Sequence, residues 1–409
     1  MGLTVEKQNE ISERLKRELP VIVVHKVMTV GGTLLNRDDS NSQKTLRFGN
    51  AERARLSSAC QKKVVREVVR TSLGDSIGYR AKESWNLYAK QYYTENKERF
   101  GFSNEDIETA SSKVMGKNGI FNNTMYLTKR EFEQILTTIA EKRLWEKTKK
   151  DTKGKETLDK DAIKKELKGY TNYLTWDIAF FGRMIADNGM GLDTVKGAYY
   201  ESHALGLNKF NLESDTFVAT EDLLSEFIPQ GAAHFDATGT DISSNTFYDT
   251  IAIDLYTVVM EKIRFYEDDI TEELVAELVK EAKQIACNIV DCYVYAVPQS
   301  KQNSMLSSPL PDCIFVNVKY RDENSLASNF ITTLHNLFAK ALVADSEKTV
   351  ADKAIDKITE FVSTKKKFTQ PNNKNIWYTD NGVTVDSDNC VNVTDTYDIV
   401  ETLEGILNE

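Results

Sequence analysis

Six prolines and 20 glycines in 409 residues lie below the usual shares of about 5% and 7%. That excludes a Pro- or Gly-rich low-complexity chain and points to long helices with few flexible linkers. Positive charge is in the minority: 52 Lys and Arg face 62 Asp and Glu, a formal charge of −10. A uniformly basic nucleic-acid binder is excluded, and any polyanion site has to be local. Four histidines and five scattered cysteines (Cys60, Cys287, Cys292, Cys313, Cys390), with no C-x-x-C pair, give a metal site little to build on. The odd, dispersed cysteines fit a reducing compartment, so a cytoplasmic protein is expected. No apolar run approaches the ~18 residues of a spanning helix, since Val21 to Val24 is stopped by His25 and Lys26, and no membrane partner is expected. The first residues carry no apolar segment of the secretory kind, and Glu6 stands where a myristoylation motif has Ser or Thr. There is no G-x-x-x-x-G-K-[ST], and Gly189-Met190-Gly191 lacks the third glycine of a dinucleotide loop, so no cofactor is expected.

What is present is enough to fold. Hydrophobic residues make up 41% and aromatics 10%, and the length allows two to four units at roughly 100–200 residues each. Residues 3–19 read as a short, peripheral amphipathic helix, and Val21 to Met28 as the first strand. A polar loop follows, and Ser57 opens a helix whose Cys60, Val64 and Val68 form an apolar stripe with Val65 and Val69 beside it. From about 74 to 170 the signals are helical, including a capping box at Thr128 to Glu131. Lys142 to Lys168, with eleven basic and six acidic residues in mixed order, reads as a solvated face with a turn at Gly154. Asp177 to Met184 reads as a strand, residues 203–246 as a long excursion, and Phe247 to Leu255 as a further strand. Thr271 opens another helix, and Cys313 to Val318 closes the series as a strand.

With the two insertions removed, the order is β-α-β-β-α-β. The expected class is therefore α+β: a ferredoxin-like (RRM-like) palm with a helical insertion and a long excursion. Such a core hosts many functions and names none.

Charge placement says more. Nine basic residues fall between Arg37 and Arg70 (Arg37, Lys44, Arg47, Arg53, Arg55, Lys62, Lys63, Arg66, Arg70), against four acids. Lys62, Arg66 and Arg70 recur at every fourth position opposite the valines, with Lys63 adjacent. Ser57 and Ser58 sit where backbone N–H groups and the helix dipole favour an anion. The pattern suits a phosphate backbone, but taken alone it is more often an ordinary solvated amphipathic helix.

The preceding loop separates the two. Leu35-Asn36-Arg37-Asp38-Asp39, Lys44, Phe48-Gly49, Arg53-Ala54-Arg55, Ser57-Ser58, Lys62-Lys63 and Arg66 together resemble the start of the CasC family, the backbone subunits of the type I-E CRISPR surveillance complex Cascade. Further stretches are similar to it: Asp177-Ile178-Ala179, Gly182-Arg183-Met184, Val195 to Ala198, Gly231 to His234, Ser243-Ser244, Phe247-Tyr248 and Lys301-Gln302. The resemblance runs from about 21 to 320, with Asn50 in place of a second glycine and Ala59 in place of a glutamine.

It implies a subunit shaped like a right hand. The expected parts are an N-terminal helical extension (1–20), a palm in three pieces (21–73, 171–202, 247–345), helical fingers (74–170), a thumb (203–246) and a helical, acidic tail (346–409). Copies would stack head to tail as a filament along one CRISPR RNA, beside other Cascade subunits. The guide, its bases flipped at intervals, would pair with target DNA in antiviral defence. Carried over by position, Lys44, Ser57, Lys62 and Arg66 face the RNA backbone, with Ser58 and Lys63 beside them and Arg37 and Arg55 shaping the loop. Met184 and, in the thumb, Phe217 would wedge against bases. The resemblance thus implies a ribonucleoprotein component, not an enzyme. A rival reading makes it a metal-dependent ribonuclease of the type III kind, using Asp38 or Asp39 to cut target RNA. The ordinary role for that acidic pair is to fix Arg37 and the loop by charge-assisted hydrogen bonds. His234, without a Ser or Cys partner, is expected to be structural, and Lys365 to Lys367 a solvated helix end.

Overall fold

A computed structural model describes residues 5–74, 77–116, 119–150, 154–167, 174–184, 194–216, 218–220, 233–235, 240–266, 270–301, 303–322, 330–365, 368 and 372–409. The chain divides into two compact units. One comprises Met1–Arg14, Arg70–Tyr199 and Leu255–Ala282; the other comprises Leu15–Val69, Tyr200–Asp254 and Lys283–Glu409. Among the described residues, no helix is long and apolar enough to cross a membrane.

The second unit is built on a large sheet. Its strands are β1 (Val21–Thr33), β2 (Thr45–Phe48), β3 (Ala51–Leu56), β4 (Ala204–Gly206), β5 (Thr240–Asp254), β6 (Cys313–Lys319), β7 (Asn373–Thr379) and β8 (Cys390–Val393), in the spatial order β8-β7-β6-β1-β5-β4-β3-β2. Strand β1 is central because its first eight residues are buried, as a β-branched run between two partners demands. It pairs antiparallel with β5 (Val24 opposite Ile251) and with β6 (Val24 opposite Val316). Strand β4 joins β5, β3 joins β4 and β7 joins β6, all antiparallel, while β8 runs parallel to β7.

The β2–β3 hairpin is tied down at its turn. Gly49 has φ 60°, and a Cβ there would lie 1.6 Å from the Ala339 carbonyl oxygen, so no other residue fits. Asn50, at the position of the family's second glycine, accepts the Ala341 N–H through its side chain at 2.9 Å.

The first unit has its own core around Trp85, Phe132, Ile135, Leu136 and Trp145. Helices Ser84–Glu95, Asn104–Ser112 and Lys129–Glu141 surround it, the last two opened by capping boxes at Ser103 and Thr128.

Four local expectations are corrected. Asp177 to Met184 is not a strand: Thr175 accepts the Ile178 N–H and opens a helix over Trp176–Phe181, buried on every side. A continuous apolar run carries no period, so a cap decides between strand and helix. The strand beside β5 is β4, inside the segment expected to be the excursion. The N-terminal helix, Val5–Glu18, is not peripheral, since Ile11 and Leu15 are buried along with the adjoining Leu19. Residues 346–409 are more than a helical, acidic tail. They supply β7 and β8 and the helices Val350–Thr364 and Tyr397–Asn408, with Ile355, Ile358, Trp377 and Leu403 buried.

Candidate nucleic-acid interface

The basic corner of the second unit is assembled by hydrogen bonds that fold residues 36–44 back onto 55–57. Leu34 and Leu35 are buried and fix the start of the loop. The Asn36 carbonyl accepts the Lys44 N–H at 2.8 Å, and its side-chain oxygen accepts the Ser57 N–H at 3.0 Å. The Lys44 carbonyl accepts the Arg55 N–H at 2.9 Å. Buried Gln43 donates its amide to the Lys44 and Arg55 carbonyls, each at 3.3 Å. One small region of backbone thus carries Arg37, Lys44, Arg55, Ser57 and the start of the Ser58–Ser72 helix.

Within the loop, the Asp38 carboxylate accepts the N–H groups of Ser40 and Ser42 at 2.9 and 3.0 Å, closing a turn around Asn41, whose φ is 67°. Arg37 donates to the Asn41 side-chain oxygen at 2.6 Å. The expectation that Asp38-Asp39 fixes both Arg37 and the loop is corrected for Arg37 alone: Asp38 braces the loop backbone, Asn41 engages Arg37, and Asp39 is exposed.

On the helix, the buried line is Gln61, Val65 and Val69, one position round from the expected stripe, and Val68 is 50% exposed. The reason is a polar anchor: Gln61 donates to the Ser202 carbonyl at 3.4 Å, while the Ser58 N–H donates to His203 Nδ1 at 2.9 Å. Ser57 Oγ accepts the Cys60 N–H at 3.3 Å, so its hydroxyl oxygen already caps the helix. Segment 201–203 therefore lies along the first turn, which brings Glu201 among the lysines. Burial pushes the Lys62 ammonium down from its ordinary range, and the Glu201 carboxylate opposes that shift. Burial also lowers the His203 imidazole, helped by Arg55, and raises the Cys60 thiol against the pull of Lys44 and Lys63. Lys62 is half-buried rather than on the solvent face, as is Arg66. Lys63 is exposed and pairs with Glu67 at 3.5 Å.

Two of the nine basic residues serve packing instead. Arg53 is fully buried and donates to the Gly206, Leu207 and Phe338 carbonyls at 3.1, 2.6 and 3.2 Å. Arg70, in the first unit, donates to the Gly78 carbonyl and lies 3.5 Å from Asp177. No local pattern signals Glu201 or His203, an isolated acid and an isolated histidine far away in the chain.

Met184 belongs to the first unit and is 85% exposed. Phe217, Gly189-Met190-Gly191 and Lys366-Lys367 lie outside the described residues, as does the side chain of His234. Among the described residues, no group of three or more His, Cys, Asp or Glu could hold a metal ion.

A chain of a solved "CRISPR RNA-guided surveillance complex, pre-nicking" is similar in fold, with a TM-score of 0.69 and 21% identity over 95% of this chain and 100% of that one. A chain of a second "CRISPR RNA-guided surveillance complex" has a TM-score of 0.63 and 17% identity over 94% and 99%. No curated protein matches the sequence. The family model described as CT1975-like protein (Cas_CT1975) matches residues 22–400, and the chain belongs to that family.

Proposed function

We propose that this protein is a non-enzymatic guide-binding backbone subunit of a Cascade-type CRISPR surveillance complex, similar to the type I-E CasC subunits. The observation that carries the reading is the closure of residues 36–44 onto 55–57. It gathers Arg37, Lys44, Arg55, Lys62, Lys63 and Arg66 at one corner of a chain whose net charge is −10. A local strip of cations with hydroxyl and amide donors suits phosphates and reads no base. The family and the fold shared with chains of surveillance complexes support the same assignment.

The palm is ferredoxin-like on this reading. Strands β6-β1-β5-β4 are neighbours in antiparallel pairs, with the Ser58–Ser72 helix between β1 and β4 along the chain and Glu272–Tyr295 between β5 and β6. Several copies stack head to tail along the CRISPR RNA in the cytoplasm, beside other Cascade subunits. Met184 and Phe217 separate bases at intervals, and the stacked bases between them pair with target DNA, so that specificity is delegated to the guide. The ribonuclease alternative is less well supported, because the Asp38 carboxylate already accepts two backbone N–H groups.

The test is to express the chain with a CRISPR array, measure the 260/280 nm absorbance ratio of the purified protein, and size the RNA released. RNA of guide length is expected. Protein free of RNA, or carrying RNA of every length, would overturn the assignment.

A further inference from the structure

We propose that the buried ion pair between Glu131 and Arg183 is the mount that fixes Met184 in its outward position. Glu131 and Arg183 are then positioning residues for base flipping, an inference that rests on the wedge reading of Met184. Arg183 Nη1 donates to Glu131 Oε1 at 2.8 Å, and both side chains are 0% exposed. The other oxygen of the same carboxylate accepts the Thr128 N–H at 2.8 Å, while Thr128 Oγ1 accepts the Glu131 N–H at 3.0 Å. The carboxylate thus belongs to the capping box of the Lys129–Glu141 helix, and the arginine is locked to a rigid helix end.

The backbone is held as firmly. Arg183 and Val195 exchange both N–H···O bonds, at 3.0 and 2.8 Å. Gly182 has φ 80°, and a Cβ on Gly197 would lie 2.6 Å from the Gly182 nitrogen, so the two glycines touch backbone to backbone. One residue beyond these constraints stands an unbranched apolar side chain that is 85% exposed. A buried ion pair is weak support for stability, because desolvation offsets most of its attraction. What it supplies here is a single orientation. A side chain that must keep two bases apart needs one, since a loose wedge would let them restack.

The experiment uses full-length protein assembled on its guide and paired with complementary DNA, with chemical probing of unpaired bases. The variants are Glu131→Gln, Arg183→Met, Met184→Gly and the double variant Glu131→Gln with Met184→Gly. If the pair is the mount, Glu131→Gln and Arg183→Met lower the contrast between reactive and protected positions at least about threefold, as Met184→Gly does, with guide content per protein kept within about twofold. The double variant is then no more blurred than Met184→Gly alone, because both substitutions remove one device. A sharp pattern in Glu131→Gln and Arg183→Met beside a blurred one in Met184→Gly would overturn the mount and leave the wedge standing. A sharp pattern in Met184→Gly would overturn both. Should these variants not fold, Arg183→Lys decides: it keeps a positive charge beside Glu131 but not the guanidinium that reaches it, a blurred pattern is expected, and a sharp one in the folded protein overturns the proposal.

Discussion

Replacing Lys62 and Arg66 together by alanine isolates the phosphate contribution of the Ser58–Ser72 helix. Both side chains lie off the buried line of Gln61, Val65 and Val69, and alanine is the best helix former, so the helical propensity is kept. On single-stranded RNA each phosphate contact contributes about 0.7 to the slope of log affinity against log salt. Two contacts give about 1.4, so the handicap of the double variant should shrink about sevenfold between 50 and 200 mM salt. Lys62 needs a control of its own, because its removal leaves the Glu201 carboxylate without the ammonium that opposes it. Glu201→Gln in the same background removes that leftover charge and should recover part of the loss while keeping the flattened slope. Fluorescence anisotropy of a labelled guide across a salt series measures all of this. Unchanged affinity with unchanged slope would remove the helix from the interface. A deficit equal at every salt concentration would mean that the loop had been damaged while the pairing with phosphates stayed as it was.

Other outcomes follow from the same geometry. Arg53→Met strands three carbonyls that now share one guanidinium, so the cost should be about 3–5 kcal/mol and the melting temperature should fall by roughly 10 °C. Unaltered melting together with weakened guide binding would instead place Arg53 at the RNA. Asp38→Ala frees the N–H groups of Ser40 and Ser42 and should weaken guide binding severalfold, with no cleavage of paired RNA in Mg²⁺ or Mn²⁺ before or after. Regular metal-dependent cuts abolished by Asp38→Ala or Asp39→Ala would refute the non-enzymatic reading. His25, whose Nδ1 shares a hydrogen bond with the Tyr248 hydroxyl at 2.8 Å, has its imidazole pushed down to about 3 by burial. The unfolded chain therefore takes up this proton below about pH 6.5 while the native one does not, so acid destabilises the fold by about 1.4 kcal/mol per pH unit, about 3 kcal/mol by pH 4. Asp249, raised by burial, acts in the opposite sense, so the comparison is denaturant unfolding of wild type against His25→Gln; equal pH slopes would refute the assignment to His25.

The strands with a clean signal were legible in the sequence for a simple reason. Val21 to Met28 and Cys313 to Val318 are rich in Val and Ile and buried between two neighbours, and the β-branched side chains tip such a run towards strand. Strand β4 was not legible, because Ala204–Gly206 is three residues long and owes its place to pairing with β5 and β3, partners remote in the chain. Trp176–Phe181 failed for the converse reason. Its apolar run fits either period, and only the Thr175 cap selects the helix. The C-terminal region read as acidic because its charges dominate the count. Ile355, Ile358, Trp377 and Leu403, which are buried there, stand scattered among those charges and make no run that composition would show.

For the interface, spacing revealed which residues are charged but not where each charge is held. Arg53 and Arg55 sit two apart on one strand and look equivalent. On a strand they share a face, yet Arg53 meets the Gly206, Leu207 and Phe338 carbonyls in the core while Arg55 stays half-buried near His203. Lys62 and Lys63 look like a pair, yet the Gln61 anchor turns the helix so that Lys62 meets Glu201 and Lys63 meets solvent. Such differences come from groups more than a hundred residues away, which no local pattern encodes. Met184 shows the same limit from the other side. Its sequence neighbours say only that an apolar residue follows an arginine, and a buried methionine is the ordinary outcome of such a pair. What makes it stand out is that Arg183 finds its counter-charge in Glu131, at the cap of another helix, and turns inward, which leaves the next side chain facing out.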